Sequence, residues 1–138
     1  LRSKIHVQKA LFIASRYLER VAESVEFKAY RRGPWSEAVS DALELCLTNK
    51  WVGEREGWLE LLGRAREHAK AVWSKLDDEE RKRLEDIAKL VNEMDVNELL
   101  LYTYVVYGGG EKSDVIDELL RRRREIAANL LLKGLILY

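Results

Sequence analysis

Tyr30-Arg31-Arg32-Gly33-Pro34-Trp35-Ser36 is the stretch on which the fold turns. It holds the only proline of the chain. Gly33-Pro34 interrupts regular structure, because glycine opens left-handed backbone and proline lacks an N–H. Ser36 is a natural N-cap: its hydroxyl can accept a bond from an orphan N–H in the first helical turn. Trp35, just before it, is placed to staple onto the helix entry. The spacing predicts a helix from there to about Lys50, with Val39, Ala42, Leu43, Cys46 and Leu47 inward. Beyond it, Trp51-Val52 and Trp58-Leu59-Glu60-Leu61 flank Gly53-Glu54-Arg55-Glu56-Gly57, which reads as a five-residue hairpin tip.

Working toward the N-terminus, residues 3–25 read as one helix, with Leu11, Ala14, Leu18, Val21 and Val25 at three- and four-residue steps. Residues 25–30 alternate apolar and polar as a short half-buried strand does. Toward the C-terminus, Gly63 is a break, and 64–76 reads as a helix with Ala65, Ala69, Val72 and Trp73 or Leu76 on one side. Asp77 with Glu80 and Asp95 with Glu98 have capping-box spacing. They open helices at about 78–93, buried through Leu84, Ile87, Ala88 and Val91, and 96–107, buried through Leu99, Leu100, Thr103 and Val106. Gly108-Gly109-Gly110 is the most flexible point. Ser113 caps a last helix to Lys133, which Gly134 ends. The apolar tail Leu135–Tyr138 must dock on a core or meet a partner.

The chain has 138 residues, enough for one domain and a core that needs no disulfide or metal. The single cysteine, Cys46, excludes an internal disulfide and points to a reducing, cytoplasmic setting. Apolar runs such as Leu99-Leu100-Leu101 are too short to span a bilayer. Charged residues make up 35% of the chain, beside one Gln and four Asn, a thermophile-like composition. Residues 1–76 hold 14 Lys and Arg against 10 Asp and Glu; residues 77–138 hold 10 against 14. A mildly basic part therefore precedes an acidic one, a weak pointer toward nucleic acid.

Turn, then helix, then hairpin is the order of a winged-helix module. The fold expected is mainly α: a winged-helix-like module with a small β-hairpin at 1–76, and an α-helical extension at 77–138 that packs on it or dimerises. The motif Tyr30-x-x-Gly33-Pro34-Trp35-Ser36-x-x-Val39, with Val7-Gln8-Lys9-Ala10-Leu11-Phe12 before it, resembles the Panacea (SocA-like antitoxin) domain. It is also similar to uncharacterised archaeal winged-helix-like proteins with a Gly-Pro-aromatic-Ser element. The tail Glu111-Lys112-Ser113-x-x-Ile116-Asp117-Glu118 and Arg123-x-x-Ile126-Ala127 is similar to those archaeal proteins too. The resemblance implies a winged-helix architecture and a transcriptional-regulator or antitoxin-like role.

A winged helix reads duplex DNA with its recognition helix in the major groove. Here that helix carries Glu37, Asp41 and Glu44 against Lys50, and it lacks base-reading Arg or Gln. Double-stranded DNA would therefore be held through phosphate contacts from Arg31, Arg32, Lys50 and Arg55, with Arg2, Lys4 and Lys9 in reserve. The alternative partner is a protein, met through the acidic Ser36 helix and the apolar tail of an adaptor. A homodimer through the C-terminal helices is expected; membrane, cofactor and metal are not. Arg121–Arg124 surround a helix and pair with Asp117, Glu118 and Glu125, as a solvated face does. Trp35, Trp51, Trp58 and Trp73 are expected to build the small core of the module. No catalytic constellation is expected: His6 and His68 are not at ligand spacing, Arg64-x-Arg66-x-His68 does not match the helical RNase pattern, and Cys46 is inert.

Overall fold

The computed structural model describes residues 1–30, 33–108, 125, 126 and 128. Arg31 and Arg32, most of the Ser113–Lys133 helix, Gly134 and the tail 135–138 lie outside them, as does the dimer expected there.

Ser3 caps the first helix, α1 (Lys4–Tyr17), by accepting from the His6 N–H at 3.2 Å. The single helix expected over 3–25 breaks at Leu18, whose backbone is extended (φ −121°, ψ 110°). A short helix, α2 (Glu19–Ser24), follows. Leu18 is buried among Ile13, Ile87 and Val91. Periodicity along one segment carries no trace of that contact, which comes from a helix some seventy residues later.

The strand expected at 25–30 is shorter, β1 (Lys28–Tyr30), and Gly33-Pro34 does not end regular structure as expected. It forms β2 (Gly33–Trp35), antiparallel to β1 with Ala29 opposite Pro34. Proline is tolerated in an edge strand of so small a ribbon, and Gly33 supplies a φ of +84°. Ser36 then caps α3 (Glu37–Thr48) as read, accepting from the Val39 N–H. Only Val39 of that helix is fully buried; Ala42, expected inward, is exposed.

The second ribbon is present, β3 (Val52–Arg55) paired antiparallel with β4 (Trp58–Leu61). Its tip has two residues, Glu56 and Gly57, in place of the five expected. Both have positive φ (52° and 81°), the backbone that matches a two-residue turn to the twist of its strands. Leu1 adds a rung by exchanging backbone bonds with Leu59 at 2.8 and 3.4 Å.

Next come α4 (Arg64–Ser74), α5 (Asp78–Asn92) and α6 (Val96–Tyr107). Both expected capping boxes are formed, Asp77 with Glu80 and Asp95 with Glu98. The core lies where α1 crosses α5 and α6: Ile13, Ala14, Val91, Met94 and Leu99 are each at most 1% exposed, and Ile126 joins them. Val106, expected inward, is 50% exposed. The chain is thus mainly helical with two small antiparallel hairpins. No described helix is long and apolar enough to cross a membrane.

Candidate functional site

Two segments 28 residues apart in sequence meet in a buried polar clasp. The Gln8 amide on α1 donates to the Ser36 carbonyl and accepts from the Ser36 N–H, both at 2.9 Å. Next to it, the Lys9 ammonium donates to the Pro34 carbonyl at 2.6 Å and lies 5.9 Å from the centre of the Trp35 ring. Gln8, Lys9 and Ser36 are at most 1% exposed. Beside a carbonyl and a ring face, Lys9 is held down to a pKa of about 8 by burial. Gln8, Lys9, Pro34 and Ser36 are therefore interior, and they fasten the entry of α3 to α1.

A second buried polar knot holds the N-terminus. His6 Nε2 donates to the Met94 carbonyl at 2.8 Å, so its Nδ1 accepts from the Ser3 hydroxyl at 2.7 Å. Burial pushes the imidazole below its ordinary pKa, which keeps it neutral. The same Met94 carbonyl accepts from Arg2 at 2.8 Å.

These contacts withdraw the reserve cations. Lys9 is enclosed, Arg2 is spent on the α5–α6 junction, and Lys4 pairs with Glu44 at 2.8 Å. Of the four main candidates, Arg31 and Arg32 lie outside the described residues. Lys50 and Arg55 are exposed, one before β3 and one at its far end.

Lys50 also has a structural role that its charge concealed. The Trp51 N–H bonds the Cys46 carbonyl at 2.8 Å and the Lys50 N–H bonds that of Leu47 at 3.2 Å. This is the Schellman ending of α3, with Lys50 in the left-handed position (φ 58°) that glycine usually fills. Lys50→Gly should therefore stabilise the protein by about 0.5–1 kcal/mol, read as a higher urea midpoint.

The tryptophans do not build a core. Trp51 is 50% exposed, Trp58 45% and Trp73 36%, and Trp35 is half-buried. Leu45, Leu61 and Val72 are exposed as well. The reason is geometric: α3, β3–β4 and α4 bury little against the α1–α5–α6 core, so large side chains that composition alone would send inward stay outside. Trp51 rests its ring 6.3 Å from that of His68. The outer face of α3 adds exposed Glu37 and Asp41. Elsewhere a groove of about 610 Å³ is lined by Tyr17, Arg20, Glu23, Glu79, Glu80 and Arg83, among others. Both of its arginines are paired, Arg20 with Glu80 and Arg83 with Glu79, and Arg83 covers the Tyr17 ring. No metal-binding group of His, Cys and carboxylates occurs among the described residues. Compared with family models, curated proteins and solved structures, the chain gave no match.

Proposed function

We propose that the chain is a non-catalytic protein-binding module on a winged-helix-like scaffold. The observation that carries this reading is the exposure of Leu45, Trp51, Trp58, Leu61, Val72 and Trp73 along α3, the β3–β4 ribbon and α4. Exposed apolar side chains in such density mark an interaction surface, and tryptophan is the residue most used to anchor a protein partner. The helix-then-ribbon order of α3, β3 and β4 supports the scaffold. The acidic outer face of α3 would be repelled by phosphates, which favours a polypeptide over a DNA duplex.

Fluorescence anisotropy with a labelled duplex at low salt tests this. The expected result is no retained duplex. A duplex held with a log K that falls steeply with log salt, and released by Lys50→Ala with Arg55→Ala, would overturn the reading in favour of a DNA-binding regulator.

A further inference from the structure

Helix α4 is eleven residues, Arg64–Ser74, about 16 Å long. At about 100° per residue, Ala65, Ala69, Val72 and Trp73 share an arc of about 100°. Ala65 is buried at the bottom of the stripe, whereas Val72 is 48% exposed and Trp73 36%. Trp51 continues the apolar surface past His68. The basic side chains of the helix are sorted around this stripe. Arg64 and His68 flank one side, Arg66 and Lys70 the other, and Lys75 at the C-cap returns to the first side. Glu67, the lone carboxylate of the helix, lies on the far face. Arg64 and Lys70 are exposed and make no ion pair with a described carboxylate.

We infer that α4, with Trp51, is a docking surface for an acidic amphipathic helix of a partner protein, an inference that rests on the protein-binding reading. The apolar stripe takes the leucine-like face of the incoming helix, and the two basic flanks meet its carboxylates; this is helix-on-helix recognition by alternate anchors and charged rims. A second copy of α4 fits badly, since it would set basic flank against basic flank. A nucleic acid would use the cations and leave Val72 facing phosphates. A membrane needs a deeper apolar face than Val72 and Trp73 offer.

The test uses the full chain and three probes. One is a labelled helical peptide with leucine at i, i+3, i+4 and i+7 and glutamate on its flanks. The others are its twin with lysine for every glutamate, and vesicles of phosphatidylcholine with phosphatidylserine. The glutamate peptide should bind and shift tryptophan emission to the blue. The double variant Arg64→Glu with Lys70→Glu, both at exposed positions, should keep the far-UV circular dichroism spectrum and weaken that binding about tenfold. Equal binding of the lysine twin, capture by the vesicles in place of the peptide, or no binding of the glutamate peptide would each overturn the inference. If the peptide fails while the labelled duplex also fails, only the acidic-helix assignment falls and the protein-binding reading stands.

Discussion

Gln8→Leu should lower stability by about 3 kcal/mol, seen as a drop in the urea midpoint at unchanged slope. The side chain is 1% exposed and its two bonds go to both backbone groups of one residue. Leucine matches the amide in bulk and supplies neither donor nor acceptor. The Ser36 carbonyl keeps the Ser40 N–H at 3.1 Å, its first-turn helical partner, and so loses only one of two bonds. The Ser36 N–H loses its sole partner while still buried, and an orphaned buried donor costs about 1–3 kcal/mol. The Lys9–Pro34 bond next door depends on the same docking, which adds to the loss. Ser36→Ala is the natural comparison. It removes only the hydroxyl that caps α3, at about 1 kcal/mol, and leaves the amide–backbone pair in place. Gln8→Leu should thus exceed Ser36→Ala by about 2 kcal/mol. Equal losses would mean that the clasp contributes no more than the cap, and that water reaches the Ser36 amide.

Local features of this fold were legible in the sequence. Ser36, Asp77 with Glu80 and Asp95 with Glu98 cap through residues three apart, and each cap formed as its spacing implied. The β3–β4 ribbon was legible from its apolar runs, but its turn is two residues where the glycine spacing implies five. Glu56 adopts positive φ beside Gly57, a conformation that composition does not announce for glutamate. The clasp could not be read, because its bonds join residues 25 and 28 apart. Lys9, expected as a reserve cation for phosphate, is interior, and so is Gln8 before it. The tryptophans failed for the opposite reason: hydrophobicity gives a tendency to leave water, and their exposure is set by how little α3, the ribbon and α4 bury. Charge alone points to the candidate contact residues. Charge does not reveal that Lys50 closes a helix, or that Lys4 is paired.

Stability should rise with pH from about pH 8 to about pH 10, and Lys9 should account for the rise. The sign follows from proton counts. In the unfolded chain the lysine keeps its proton up to the ordinary value of 10.5, whereas the buried one releases it at about 8. Between these limits the unfolded state binds more protons, so raising pH favours the native state. At 1.36 kcal/mol per pH unit the whole interval is worth about 3 kcal/mol. Burial raises the phenol pKa of Tyr102 and Tyr107. Their contribution therefore runs the other way, and it begins only where unfolded tyrosine ionises, near pH 10. Measurements below that point isolate the lysine. Lys9→Met should flatten the profile, since methionine has no proton to release. Near pH 7 the variant should lie within about 1 kcal/mol of the parent, because relief from burying a charge offsets the donor lost to the Pro34 carbonyl. Near pH 10 a neutral Lys9 still donates that bond without the cost of burying a charge, so the variant should be less stable than the parent by about 2–3 kcal/mol. Urea denaturation of both proteins at several pH values between these limits measures the divergence. A parent profile as flat as that of the variant would mean that the ammonium is solvated where the fold places it against Pro34 and Trp35.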